Sequence, residues 1–555
     1  MFGTEVLRYQ SSIPGLEIFV IQPGERLTLF GTCSVACLAG TVSINDYILP
    51  CVSYEDNKMV KVSAPLRMDM PAIIQVFRKD ANYKHLRLQY RLKDVSHDYL
   101  KIMEVIGESQ PAVLIVKNSL EKVEEVVGSL VPNFFVRPPD RLTMFRQSKF
   151  SCSRMDLYVL PKDVECEVIG RLTKLKAIRN NGKRGVVMPI GTKGVGKSTF
   201  VRSLINRCIS SFNDGHVYVL DCDPGQSEFT ACGSMSLTKV TSPILDKPFG
   251  HQKTEWHDAY FYGDIRVQTE KRYIDIFERL WNQFNEISEP GSILIINTMG
   301  WIEGLGKTLL HKMISIAKPD IIFELRKWMS NPAFIYPDNT DFENQVMLCE
   351  VNEVPQAVRS AMKQLHAGLI RELTMVGYFS AVLTRPSISS LLDVVPYKIS
   401  FKDASFCVPI DLLVDDLLVF ASLNTQIVAL CQDNNEIKFR RLSNREDFPQ
   451  IAAIDDNTPS LKCLGYAIIR GINIEKKEIY LITPVDLRSL DEVPLFVRGL
   501  RIHTPTQIYT CDQYNQSPYV VNLAGNDNEP VKERVIEDLF QPSTNTTAFK
   551  RSRKH

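Results

Sequence analysis

The sequence predicts an α/β protein in which a central parallel sheet is flanked on both sides by β-rich domains. Three observations point there. Between about residues 168 and 386, short apolar runs alternate with amphipathic stretches of helical length, the pattern of buried parallel strands joined by crossover helices. Residues 1–165 and 387–525 carry instead short strand-like runs broken by Gly, Pro, Asn and Asp, the residues that turn β-strands. And 555 residues exceed what one hydrophobic core organises, so about three domains are expected.

In chain order, LTLFG, SVACLAGTVSIN, DYILP, AVLIVKN and LYVLP read as strands of the N-terminal domain, residues 1–165, with a helix near Ser119–Leu130. The central domain, 166–386, reads as VVMPIG, a helix from Lys197, VYVLD, a helix near Tyr273–Asn285, ILIINT, a helix near Thr308–Ala317, then DIIFEL. A further helix is expected from about Pro355 to Phe379. The C-terminal domain, 387–525, shows IVALC, YAIIRGINI, EIYLITPV and LFVRGLRI, with the strands ending near Tyr519. Residues 526–555 are polar and close on KRSRKH, a tail expected to be disordered. That basic end reads either as a nuclear address or RNA contact, or as a charged solubilising terminus.

Composition narrows the classes. Hydrophobic residues are 44% and charged residues 23%, as in soluble globular proteins. A net charge of +1 argues against a coating of positive charge, so nucleic acid, if bound, occupies a local groove. The 13 cysteines form no dense framework and suit reduced intracellular thiols. Cys33 with Cys37, and Cys152 with Cys166, have loose zinc spacing but lack a second pair of ligands. Neither a secretory leader nor an apolar run of membrane-spanning length is visible, which leads to the expectation of a soluble intracellular protein.

Gly191-Thr192-Lys193-Gly194-Val195-Gly196-Lys197-Ser198 fits GxxxxGK[ST] and is followed by Thr199. The motif follows an apolar strand and opens a helix, the context its chemistry requires. Glycines let consecutive N–H groups face a phosphate, aided by the positive end of the helix. Lys197 then reaches the β- and γ-phosphates of ATP, and the Ser198 hydroxyl ligates Mg²⁺. At the end of the next apolar strand stand Asp221 and Asp223, in VYVLDCDPGQSE. Ligands of open α/β sheets bind beyond the carboxyl ends of the strands, so both carboxylates should face the phosphates. One can join the Mg²⁺ shell and the other can accept a hydroxyl proton. The third strand runs into Asn297-Thr298-Met299-Gly300-Trp301-Ile302-Glu303-Gly304. A Trp between glycines at this end of the sheet can stack a nucleobase.

GTKGVGKST, DCDPGQ and NTMGWIEGLG resemble the corresponding segments of the polynucleotide 5′-hydroxyl kinases. LNTQIVALC, CLGYAIIRGINI, YLITPV and IRELTMVGYFS are similar to the nucleolar, pre-rRNA-processing branch of that family, which is related to the kinase of the pre-mRNA cleavage complex. The resemblance covers roughly residues 165–510 and the N-terminal domain only loosely. It implies three domains and transfer of the ATP γ-phosphate to a 5′-OH RNA end. It implies that Lys197 and Ser198 bind ATP and Mg²⁺ and that Asp223 is the base, so of the two acids Asp221 is the one assigned to the metal. Thr298, Met299, Gly300 and Trp301 then correspond to the family's clasp on the substrate end, and Gln226 to a contact with the metal shell or substrate. The family's basic lid falls loosely on Arg359, Lys363 and Arg371. The branch also implies a nuclear, nucleolar location and an RNA endonuclease partner. The principal alternative is an ATP-binding scaffold of an RNA-processing complex. A switch GTPase lacks its [NT]KxD motif here, and a small-molecule kinase would not need the large flanking β-domains.

Overall fold

The computed structural model describes residues 7–24, 26–29, 31–52, 59–65, 72–77, 89, 92–118, 122–130, 162–180, 182–212, 216–252, 258–327, 333–336, 345–351, 365–383, 391, 394–413, 415, 418–432, 436–442, 445–490, 493 and 495–505. Arg359, Lys363, Cys152, the LYVLP run and everything after residue 505, the basic tail included, lie outside these residues.

The N-terminal strands form two antiparallel sheets. One orders Leu7–Gln10, Leu16–Ile21, Ala112–Asn118, Gly31–Ala39 and Val60–Ala64; the other orders Arg26–Leu29, Ala72–Phe77, Thr41–Ile44 and Tyr47–Leu49. Their alternating apolar residues meet in one core, with Phe19, Val35 and Leu114 from the first sheet and Val42, Ile44 and Val76 from the second. The other face of the first sheet is covered by the helix Tyr99–Ser109 through Ile102 and Ile106. The helix read near Ser119–Leu130 is described over Lys122–Leu130.

The central sheet places five parallel strands in the order Val346–Val351, Ile321–Lys327, Gly185–Gly191, Ile293–Asn297 and Val217–Asp221. Such strands are buried on both faces, so they carry continuous apolar runs. Successive residues of Gly185–Gly191 feed opposite cores. Val187 packs with Phe200, Val201 and Leu204 of the helix Lys197–Ser211 and with Val168 and Leu175 of the helix Lys162–Asn180. Val186, Met188 and Ile190 pack with Phe277 and Leu280 of the helix Glu270–Ile287 and Leu310 of the helix Gly304–Ala317. Helices therefore cover both faces, and all loops at the carboxyl ends of the strands open at one edge.

Beyond Val217–Asp221 the sheet turns antiparallel through Ser234–Val240 and Asp258–Phe261. It then continues without a break into the C-terminal strands, because Tyr260 and Phe261 pair with Lys462 and Leu461 of the long strand Leu461–Asn473. The helix expected over 355–379 begins, among the described residues, at Ala367, where the His366 side chain accepts the Leu369 N–H at 3.1 Å, and it runs to Ser380.

Candidate active site

The phosphate loop is shaped by its glycines. Gly194 and Gly196 have φ of +75° and +103°, left-handed values that a Cβ disfavours. At Gly191 an added Cβ would lie 2.8 Å from the Leu325 carbonyl and 2.9 Å from Val195, so only a bare backbone fits against the neighbouring strand. Gly196 hands the chain to the helix Lys197–Ser211. Lys197 is buried, and its ammonium donates to the Thr298 carbonyl. Burial pushes its pKa below the ordinary lysine value, against the opposing pull of Asp223 and Asp221.

Asp221 ends its strand level with Asn297, its register partner on the adjacent strand. It is buried, and its carboxylate accepts the Asn297 amide at 2.8 Å and the Glu228 N–H at 2.6 Å. Burial, with the charge of Asp223 adding to it, pushes its pKa up to about 7 despite those donors. Asp223 is half-buried, and its Oδ1 accepts the N–H groups of Gly225 and Gln226 at 3.0 and 3.1 Å. This Asx turn fixes the start of the DPGQSE loop. The Cys222 carbonyl between the two acids accepts the buried Tyr273 hydroxyl at 2.7 Å.

One cleft of about 880 Å³ is lined by the phosphate loop from Thr192 to Thr199, by Asp223 to Glu228, and by Met299, Gly300 and Trp301. Lys327 and Val351 close it on the side of the outer parallel strands, and Arg266 and Arg371 add cations. Of the residues singled out from sequence, the cleft thus gathers Thr192, Lys193, Gly194, Val195, Gly196, Lys197, Ser198, Thr199, Asp223, Gln226, Gly300, Trp301 and Arg371. Trp301 is 42% exposed, so its ring is open to a ligand and not consumed by the core. Gly300 lets its strand end approach the phosphate loop: a Cβ there would sit 2.9 Å from Lys193 Cα. Thr298 is fully buried behind the cleft, its hydroxyl donating to the Pro189 carbonyl at 2.8 Å while its carbonyl receives Lys197. Asp221 likewise sits below the cleft wall, one residue in from Cys222.

Several residues of the site were not singled out from sequence. Arg202 lies one helical turn beyond Ser198, a spacing that puts both on one face and could have flagged it. Glu228, Arg266 and Lys327 reach the cleft only through the fold, so no local pattern marks them.

A glycine loop opening a helix, a buried lysine at its start and two acids on a nearby parallel strand end define a P-loop phosphotransferase class of site. The comparisons agree with that class. The family described as mRNA cleavage and polyadenylation factor CLP1 P-loop matches residues 191–381, and that described as NOL9-like, C-terminal domain matches residues 392–504. The chain is 47% identical to the polynucleotide 5′-hydroxyl-kinase nol-9 of Caenorhabditis elegans, over 99% of this chain and 100% of the relative. To the polynucleotide 5′-hydroxyl-kinase NOL9 of Homo sapiens it is 26% identical, over 60% of this chain and 52% of that one. The Clp1p chain in a wild-type Clp1p–Pcf11p complex has the same fold, with a TM-score of 0.50 at 15% identity, over 89% of this chain and 99% of that one. The chain belongs to the polynucleotide 5′-hydroxyl-kinase family, and membership of a P-loop kinase family carries with it the use of ATP.

Proposed function

We propose that this chain transfers the γ-phosphate of ATP to the 5′-hydroxyl end of RNA. The observation that carries this reading is the cleft itself, which gathers Lys197, Ser198, Asp223 and Trp301 in its lining. ATP lies along the phosphate loop, its phosphates held by the backbone N–H groups of Lys193 to Lys197 and by the Lys197 ammonium. When nucleotide enters, Lys197 exchanges the Thr298 carbonyl for phosphate oxygens, and the buried charge finds a stronger partner. The RNA end enters past Trp301, whose exposed ring stacks the terminal base. Asp223 accepts the proton of the attacking 5′-oxygen, and Gln226 and Arg371 line the same cleft. Phosphoryl transfer of this kind is catalysed mainly by position and charge.

The donors present suit Mg²⁺: the Ser198 hydroxyl lines the cleft, and the Asp221 carboxylate is a hard oxygen ligand. Asp221 is buried outside the lining with its oxygens on the Asn297 amide and the Glu228 N–H, and it would exchange a donor for the ion or its water. Asp221, with its raised pKa, would ionise fully on meeting a divalent cation. The ion would neutralise charge on the phosphates. Family membership further supports a role in pre-rRNA processing in the nucleolus, beside an endonuclease that leaves 5′-OH ends.

The test is direct. Wild-type protein with γ-labelled ATP, Mg²⁺ and a short single-stranded RNA should label a 5′-OH end and leave a 5′-phosphorylated copy unlabelled. ATP binding without label on RNA or DNA, with or without an endonuclease partner, would replace the kinase by an ATP-binding scaffold.

A further inference from the structure

We infer that Glu228 and Arg202 form a strut that sets the distance between the phosphate loop and the acid-bearing loop, so that Glu228 is a positioning residue for transfer. This rests on the kinase reading above. Two elements must keep register in the cleft: the helix Lys197–Ser211, which begins with Lys197 and Ser198, and the loop from Asp221 to Glu228. They come from different strands that are not adjacent, since Ile293–Asn297 lies between them. Backbone pairing alone therefore leaves their tips free to part.

The strut joins those tips. Arg202 stands four residues after Ser198, and its guanidinium forks onto the Glu228 carboxylate, Nε to Oε1 at 2.7 Å and Nη2 to Oε2 at 3.0 Å. The Glu228 carboxylate is buried, and His251 Nε2 lies 2.9 Å from Oε1. The backbone of the same residue holds the acids: the Glu228 N–H donates to Asp221 Oδ2 at 2.6 Å, and its carbonyl accepts the Gln252 amide at 3.1 Å. One residue thus grips the helix through its side chain and Asp221 through its main chain. A fork of two parallel bonds fixes direction as well as distance, which a single lysine contact would not. A displacement of about 1 Å between reacting groups can cost about a hundredfold in rate, so a small relaxation of this strut is enough to matter.

Glu228→Gln keeps the size and removes the charge; Arg202→Lys keeps the charge and removes the fork. With 5′-OH RNA and γ-labelled ATP, each is expected to lower kcat by about 10–100-fold, with the KM for ATP changed by less than about threefold. The Mg²⁺ concentration giving half-maximal rate should rise in both. The Glu228→Gln/Arg202→Lys double variant should be no slower than the slower single, because both changes break one unit. Folded variants with wild-type kcat and Mg²⁺ dependence would overturn the inference while leaving the kinase intact, as would additive losses in the double variant. If Glu228→Gln does not fold, Arg202→Lys decides alone by the same readings. Failure of the kinase reading shows differently, as absence of label with the wild type.

Discussion

At the scale of residues, the site is built from groups held away from their comfortable states. Lys197 is buried with its ammonium on the Thr298 carbonyl, and burial pushes the pKa of Asp221 up to about 7. Replacing Lys197 by Met should therefore leave the melting temperature at or above that of the wild type, because an amine no longer has to be desolvated, while kcat falls by about 10²–10³-fold. A calorimetric scan beside a rate measurement separates the two effects. Glu228 behaves oppositely. Burial would raise its pKa, but the Arg202 guanidinium and His251 outweigh burial and hold it down to about 2. A carboxylate depressed in the folded state adds stability above its unfolded pKa, and loses it as pH falls through the folded one. The excess stability of wild type over Glu228→Gln should thus be constant above about pH 4.5 and shrink between there and about pH 2. Denaturant midpoints across that range check it; a pH-independent difference would mean the charge contributes nothing.

At the scale of elements, close approach explains the glycines. Gly300 lies against Lys193, and Gly377 brings the helix Ala367–Ser380 onto the Phe249 carbonyl. Gly300→Ala should push the phosphate loop aside, raising the KM for ATP several-fold with a small change in melting temperature. Gly377→Ala should cost about 1–3 kcal/mol of stability, as overpacking does, visible in a denaturant titration. The elements also show what was legible. VVMPIG, VYVLD, ILIINT and DIIFEL were readable because parallel strands are apolar on both faces. The phosphate loop was readable because its chemistry demands a local spacing. The helix Lys162–Asn180 was not singled out: Val164, Val168, Leu172, Leu175 and Ile178 form its inward stripe at helical spacing, but they stand among many charged residues where the chain changes texture. SMSLTKV and DAYF were missed as strands because they are short and mix polar with apolar residues, their burial coming from neighbours distant in sequence.

At the scale of the whole molecule, the three segments read from sequence are less separate than their textures suggest. The turn at Asn45 and Asp46 of the N-terminal sheets grips the outer face of the helix Lys197–Ser211: Asp46 accepts Ser203 at 2.5 Å and Arg207 at 2.6 Å, and the Asn45 carbonyl accepts Asn206 at 2.9 Å. On the other side, the Tyr466 hydroxyl is hydrogen-bonded to the Ser234 hydroxyl at 2.5 Å, and the Tyr466 N–H donates to the Tyr378 hydroxyl at 2.9 Å. Lys462 pairs with buried Asp258 at 3.1 Å. No sequence pattern announces these contacts, because the hydrogen-bonded partners lie from 88 to 232 residues apart. Truncation after residue 386 would strip the strand Asp258–Phe261 of its neighbour and expose an edge. Such a fragment should aggregate, whereas one ending after residue 505 should keep the scattering mass per chain of the full-length protein; light scattering of all three distinguishes these outcomes.

In the proposed reaction, one cleft binds ATP through Lys197 and activates a 5′-hydroxyl through Asp223. Its most direct test is single-turnover transfer of labelled phosphate to 5′-OH RNA by wild type, Lys197→Ala and Asp223→Asn, each checked for an unchanged melting profile. Label is expected on the RNA 5′ end with wild type, with a loss of about 10²–10³-fold for Lys197→Ala and a loss of about 10²–10⁴-fold for Asp223→Asn. Transfer at the wild-type rate by folded Asp223→Asn would contradict it.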